Sequence, residues 1–493
     1  MPFGNRWHRC MNVTEPIRRI ARLNPNATAI IRADGSRIGY GVLDHAIDRM
    51  AGYAARLGLA PGDIAGLRIA GPDESLGLIL MLALARIGVA SAEPDAPAKR
   101  LRLRFQAGAS PAPGNVGFDA SWMVNEPAAA GHVPRPIRTD PAGLFRIFAS
   151  SGTTGSPKHV AVTQAVQVRR VHAFCLADGG GPAVRIIGIN LGCSWGCATA
   201  LRTLWAGGTI VLSNPAHAPD TIPRYGVTSI VTSPVSLRMI LEALPPGAGP
   251  FPLLGQIEVG GSMVPEPLWR AAGERLCGRI VSVAGSAEAG LTASAPVDAM
   301  THRPGASGLI VPGVEIEAVD GDNQPVPPGH EGILRIRSDR LASGYLEASE
   351  TSTERFRDGW FHSNDIGTVW PDGWLTISGR SSDVINAGGV KVHPQVIESA
   401  LLKLPTVLDA AAFGVPDAMG VTRIWAAIVA RSRIDDAVLN AFCRHALPGI
   451  APRTILQMKA LPRNENGKVL REHLVDIGLH ETRQPAEAAG AHP

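Results

Sequence analysis

The sequence predicts a mixed α/β protein. A large N-terminal domain of parallel βα layers includes a β-barrel-like part, and a small α+β domain follows it. Three observations predict this. Short apolar, β-branched runs alternate with longer helical stretches through the first half of the chain. From about residue 305 the texture changes to short strands and tight turns. After Gly379-Arg380 a compact segment begins that is about 100 residues long, enough for a small domain of its own. At roughly 150 residues per domain, a chain of 493 residues has room for such a pair.

Taken in order, Ile64–Ala70 reads as a strand, Glu74–Gly88 as a buried helix, and Val89-Ala90 as a short apolar return. Leu144–Ala149 is a further apolar strand. Arg185–Asn190, Thr209–Leu212 and Ser229–Thr232 are β-branched runs, separated by stretches long enough for crossover helices, which is the pattern of a parallel sheet covered by helices. Residues 107–143 are rich in Gly, Pro and Ala and read as an irregular surface excursion. Gly308–Pro312, Val314–Val319 and Gly332–Arg337 predict antiparallel strands in a barrel or sheet. In the last segment a helix is expected near Pro394–Leu404, with strands near Ala410–Val415 and Ile424–Ala430. These give the expected division: a large domain over 1–379, a small one over 380–480, and a disordered tail over 481–493 (ETRQPAEAAGAHP).

Composition narrows the function classes. A hydrophobic fraction of 45% against 18% charged residues supports a large core and excludes global disorder. A net charge of +4 on this length gives no reason to expect a nucleic-acid or anionic-membrane partner. The 6 cysteines include no CxxC pair, so neither a zinc site nor a disulfide framework is read, and Cys193 and Cys197 read as buried thiols. The opening MPFGNRWHRC lacks the apolar core of a signal peptide, and the apolar run Ser75–Ala85 is too short to span a membrane. A cytoplasmic setting is expected.

The sharpest local feature is Ser150-Ser151-Gly152-Thr153-Thr154-Gly155-Ser156-Pro157-Lys158, directly after the strand Leu144–Ala149. Glycines and small hydroxyl residues expose backbone N–H groups, add side-chain donors and let a phosphate approach closely, and Lys158 adds a positive charge. It is not a Walker loop, because Pro157 precedes the lysine.

This loop resembles the phosphate-binding signature of the adenylate-forming superfamily, which contains acyl- and aryl-CoA synthetases, peptide-synthetase adenylation domains and luciferases. Further segments resemble that family's motifs in its order. They are Gly260-Gly261-Ser262, Ala284-Gly285-Ser286-Ala287-Glu288, Gly344-Tyr345-Leu346, Gly359 through Asp365, Gly379-Arg380 through Gly388-Gly389-Val390, and Leu461 through Arg471 with Gly467-Lys468. The resemblance spans roughly residues 14 to 475.

The resemblance implies ATP, Mg²⁺ and CoA as cosubstrates and cofactors, and a carboxylic acid as substrate. It assigns Ser151, Gly152, Thr153, Thr154, Gly155 and Lys158 to the ATP phosphates, with Gly285 and Ser286 in the nucleotide site. Glu288 would hold Mg²⁺, a hard cation suited to one or two carboxylates plus phosphate oxygens. Asp365 would accept hydrogen bonds from the ribose hydroxyls, and Arg380 would contact the same sugar. Lys468, on a mobile small domain, would stabilise charge between the acid carboxylate and the α-phosphate. Catalysis is thus expected from Lys468, Thr154 and Glu288. Ser382, two residues after Arg380, would be the hinge. Gly388 and Gly389 would line the pantetheine tunnel, where side-chain-free backbone lets a thin arm pass.

Several positions depart from the family pattern. Ala284 stands where an aromatic ring stacks on adenine, Ala287 where a threonine precedes the metal glutamate, Asn364 where glycine precedes Asp365, and His159 where glycine follows Lys158. The acyl pocket is expected from Cys193, Trp195, Gly260, Gly261 and Met263. No aspartate lies between Leu191 and Leu204 to hold a substrate ammonium, so a neutral aliphatic or aryl acid is favoured over an amino acid.

Three other readings compete. A free-standing adenylation enzyme would load a carrier protein in trans. A catalytically silent binding protein is motivated by Ala284 and Ala287. Gly192-Cys193-Ser194-Trp195-Gly196 fits the G-x-S-x-G nucleophile elbow of an α/β-hydrolase, with Ser194 as nucleophile.

Overall fold

The computed structural model of the chain describes residues 12–69, 74–97, 100–108, 111–124, 140–150, 158–177, 181–303, 305–347, 350–387, 389–417, 420–464 and 467–488. Expectations that fall on Ser151, Gly152, Thr153, Thr154, Gly155 and Gly388 lie outside these residues.

Apolar strands that helices cover on both faces pair in parallel, and this is how the first half folds. Thr28–Ile31, Thr209–Val211, Val184–Gly188, Ser229–Thr232, Gln256–Gly260 and Ile280–Ser286 lie side by side as parallel neighbours. A second sheet of seven strands holds Ile64–Leu67, Ala90–Ala92, Leu144–Ser150 and Lys158–Thr163. Helices Tyr40–Arg56, Glu74–Arg86, Gln164–Ala177 and Ser194–Trp205 share one apolar core with side chains of both sheets, such as Ile210 and Phe145. That explains why the helix Glu74–Arg86 is apolar all round. Every residue from Ser75 to Arg86 is buried, so no face needs to be polar. Its terminal Arg86 is tolerated because Asp44 and Asp48 hold the guanidinium at 2.6 and 2.8 Å.

The strands expected after residue 305 are antiparallel, and among the described residues they form an open sheet in place of a closed barrel. Val314–Val319, Glu331–Ser338, Trp360–Val369, Trp374–Arg380, Ala306–Ile310 and Gly290–Pro296 run antiparallel and continue the parallel sheet edge to edge through Ile280–Ser286. Together they make a 14-stranded open sheet among the described residues. The antiparallel strand Gly290–Pro296 pairs directly with the last parallel strand, so the later strands extend the existing sheet.

The excursion expected over 107–143 is ordered where it is described. Leu103–Ala107 and Val116–Phe118 pair in parallel, and Phe105, Phe118 and Trp122 meet edge-on at 6.1 to 6.3 Å. The small domain has its own cores. A three-stranded sheet of Val407–Pro416, Thr422–Ala430 and Thr454–Met458 is covered by the helices Pro394–Leu401 and Asp436–Ala446 on one face and by Leu474 and its neighbours on the other. The helix Arg471–Ala488 runs past Glu481, where the sequence reading places the start of a disordered tail. Its alanines and glutamates favour helix. None of the described helices is long and apolar enough to cross a membrane.

Candidate active site

The ends of these strands and the small domain enclose one cavity of about 1170 Å³. Lys158, Cys193, Trp195, Gly260 and Gly261 line it from the large domain, and so do Gly285, Ser286 and Glu288. Asp365, Arg380 and Ser382 line it from the junction, and Lys468 reaches it from the small domain. Met263 is not among its walls. It is 45% exposed, and its sulfur accepts from Ser399 Oγ at 3.9 Å on the small-domain helix. Gly389 also lies elsewhere, in the two-stranded hairpin Ile385–Ala387 and Val390–Val392.

Local backbone explains several of the motif residues. A Cβ on Gly260 would come within 2.6 Å of Val283 Cγ2 and 3.1 Å of the Trp195 ring, so only glycine lets the strand and the indole close on one another. Asn364 takes φ +60°, the left-handed region that asparagine tolerates better than most residues, which is why it replaces glycine before Asp365. Asp365 pairs in register with Arg380 across the strands Trp360–Val369 and Trp374–Arg380, and Arg380 Nε is 3.4 Å from Asp365 Oδ1. The Asp365 N–H donates to Ser363 Oγ at 3.1 Å.

Charge in the cavity is mostly positive and partly desolvated. Burial raises the Asp365 carboxyl above its ordinary value, against the pull of Arg380 and Lys468. Burial, with Arg380 next, brings the Lys468 ammonium down from 10.5 to about 8, while Asp365, Glu288 and Asp383 oppose the shift. Lys158 is lowered by burial and then by Arg355, and its Nζ lies 5.3 Å from the Tyr345 ring centroid. Glu288 is 8% exposed and accepts from the Tyr345 hydroxyl at 3.2 Å through Oε1. It offers one carboxylate with lone pairs to spare, and no group of three or more metal-ligating side chains forms a cage among the described residues. That donor set fits a hard cation shared with phosphate oxygens.

Among the cavity residues that the sequence left unassigned are Tyr345 and Arg170. Tyr345 lies in a quoted motif but carries no assignment there, and its tie to Glu288 is set by tertiary packing. Arg170 lies in the helix Gln164–Ala177, outside every motif. The signal was available: Arg169-Arg170 interrupts a stretch otherwise rich in Val, Ala and Phe. Arg170 Nη1 donates to Ser194 Oγ at 3.3 Å. Among the described residues Ser194 thus has a guanidinium beside it and no imidazole base, which is not the setting of a hydrolase nucleophile.

Known proteins resemble this chain in sequence and fold. The family model described as AMP-binding enzyme matches residues 17–346, and that for the AMP-binding enzyme C-terminal domain matches 396–468. The chain is 33% identical to a sulfoacetate–CoA ligase of Cupriavidus necator over 71% of this chain and 69% of that one. It is 29% identical to a fatty acid–[acyl-carrier-protein] ligase of Streptomyces coeruleorubidus over 70% and 69% of the two chains. Its fold is similar to that of the O-succinylbenzoate coenzyme A synthetase of Bacillus subtilis in complex with AMP. The TM-score is 0.81 at 22% identity, covering 93% of this chain and 97% of that one.

Proposed function

Because the chain belongs to the AMP-binding enzyme family, we propose that it activates a carboxylic acid with ATP and passes the acyl group to the thiol of coenzyme A. In the first half-reaction a carboxylate oxygen bonds to the α-phosphorus of ATP and pyrophosphate leaves, giving an acyl-adenylate. In the second the CoA thiol loses its proton and bonds to the acyl carbon, and AMP leaves.

The single observation that carries the reading is the convergence of Lys468 with Asp365, Arg380 and Glu288 in one cavity, although Lys468 comes from a separate hydrophobic core. Both reactants of the first step are anions, so the protein must supply positive charge and orientation. The Lys468 ammonium stabilises charge as it moves from the carboxylate to the phosphate. Asp365 accepts from the ribose hydroxyls, and Arg380 holds both Asp365 and the sugar. Lys158 and the Ser151–Gly155 loop take the phosphates. Glu288, oriented by the Tyr345 hydroxyl, is the residue that would hold Mg²⁺, which neutralises phosphate charge when bound. Cys193, Trp195, Gly260 and Gly261 border the acyl group. In this reading the large domain runs to Gly379, and the small domain from Arg380 to about residue 480 rotates about Ser382 between the two steps.

A carrier-protein thiol is the second acceptor to consider, since the Streptomyces coeruleorubidus relative is an acyl-carrier-protein ligase. The test is pyrophosphate release over a panel of aliphatic, aryl and amino acids, with product analysed with and without CoA. Acid-dependent pyrophosphate and a CoA thioester are expected. Adenylate that accumulates beside unreacted CoA would transfer the reading to the carrier.

A further inference from the structure

Arg86, Arg146 and Arg202 are each at most 2% exposed, and each is ion-paired. Their Nη2 atoms lie 2.6 Å from Asp44, 2.7 Å from Glu93 and 2.8 Å from Glu258. Arg170 is as deeply buried, at 2% exposure, yet no carboxylate lies within ion-pair distance of it among the described residues. Its hydrogen bonds go to the Arg340 carbonyl at 3.0 Å, the Glu288 carbonyl at 2.8 Å and Ser194 Oγ at 3.3 Å. A guanidinium carries five N–H donors and a full charge; the three bonds it makes all go to neutral acceptors, and the Glu288 carboxylate acts on it only from beyond ion-pair distance.

Two independent features meet it. The helix Ser194–Trp205 starts at the cavity wall with its positive end toward it, although the Cys193 thiol accepts from the Gly196 amide at 3.3 Å. The indole Nε1 of Trp195, in the same turn, is buried without an acceptor. Arg170, Ser194 and Trp195 all line the cavity. Arg170 shares the Glu288 neighbourhood with Lys158 and Lys468, but its hydrogen bonds go to Arg340, Glu288 and Ser194, on the side of the cavity where the helix Ser194–Trp205 begins.

We infer that the acid carries a second anionic group, a carboxylate or a sulfonate, which docks against Arg170 at the start of the helix Ser194–Trp205 with the Trp195 indole N–H as a further donor. This replaces the neutral acid that the sequence favoured, and it rests on the acid-activating reading above. The reacting carboxylate points to Lys468, and the second group is held at Arg170. A fixed cation and two neutral donors match a tetrahedral sulfonate as well as a planar carboxylate.

Matched acids test this: butyrate against succinate and 3-sulfopropanoate, and benzoate against terephthalate and 4-sulfobenzoate. Pyrophosphate release is measured for wild type, Arg170→Met and Ser194→Asp. Wild type should favour at least one doubly charged acid over its singly charged partner by about tenfold or more in kcat/KM. Succinate against 3-sulfopropanoate distinguishes the two anion types. Arg170→Met should erase that ratio. Ser194→Asp keeps the Arg170 backbone contacts and places a carboxylate beside the guanidinium, so it should erase the ratio too, even if Arg170→Met fails to fold. Singly charged acids turned over as well as their partners by wild type would overturn the inference and leave the ligase reading standing. An undiminished ratio in Ser194→Asp would also overturn it. Pyrophosphate from none of these acids would overturn the inference, and the ligase reading falls with it only if the wider acid panel gives none as well.

Discussion

Arg380 Nε lies 3.4 Å from Asp365 Oδ1, and the two residues are register partners on adjacent antiparallel strands. The pair bridges the last two strands of the long sheet in chain order. It holds a partly exposed carboxylate at the cavity wall, with Lys468 close enough to act on it. In the proposed reaction the sheet fixes the acceptor of the ribose hydroxyls and Lys468 is the cation brought to it.

Asp365→Ala should weaken ATP binding by roughly 1.5–3 kcal/mol, about one to two decades, because a charged acceptor for hydroxyls is lost. The KM for ATP in pyrophosphate release measures it. An unchanged KM removes Asp365 from the nucleotide site.

Lys468 acts as a cation, and burial brings its pKa down to about 8. In the free enzyme the charge is present below that value and lost above it. The kcat/KM for ATP in the first half-reaction should therefore fall about tenfold per pH unit on the alkaline side of that value. Stability should move the other way. Between about 8 and 10.5 the unfolded chain binds the lysine proton and the folded one does not, so resistance to urea attributable to this group rises with pH in that window and the rise is absent in Lys468→Met. An activity profile flat to pH 10 would contradict the assignment.

Ala284 borders the cavity where the family places a ring, with its carbonyl held by Thr292 Oγ1 at 3.1 Å. Ala284→Tyr should tighten ATP binding by up to about tenfold through stacking. Weaker ATP binding in the folded variant would mean that the space is already filled, with Phe361 of the cavity wall one candidate.

Ser382 lies in the short turn Ser381–Asp383, and its hydroxyl donates to Asp383 Oδ1 at 3.0 Å. If the small domain swings on this residue, Ser382→Pro fixes one arrangement by locking φ. Adenylation should persist and thioester formation should fall by orders of magnitude. Equal loss of both steps would make Ser382 an ordinary turn residue.

The relation of sequence to structure differs from residue to residue. The strand Ser229–Thr232 and the start of the helix at Glu74 were legible, because a β-branched run and an all-apolar run leave few alternatives once the neighbouring crossovers are counted. The cavity residues Glu288, Asp365, Arg380 and Lys468 were legible because each sits in a fixed local pattern. The open continuation of the sheet after residue 305 was not, since short antiparallel strands look alike whether they close on themselves or extend an existing edge. Met263 was expected in the pocket because it follows the Gly260-Gly261 turn, but the turn directs it toward the small-domain helix. Arg170 carried no motif. Its position depends on Ser194, Glu288 and Arg340, which are 24, 118 and 170 residues away in the chain.

The most direct measurement separates the two half-reactions in Lys468→Ala. Acid-dependent exchange of labelled pyrophosphate into ATP reports adenylate formation, and thioester yield from preformed acyl-adenylate and CoA reports transfer. Lys468 reaches the cavity from the small domain and serves only the first step in this account. Exchange should therefore be lost while transfer from the preformed adenylate stays within about threefold of wild type, a difference smaller than one buried hydrogen bond. Exchange that survives, or exchange and transfer that fall together in a folded variant, would contradict it.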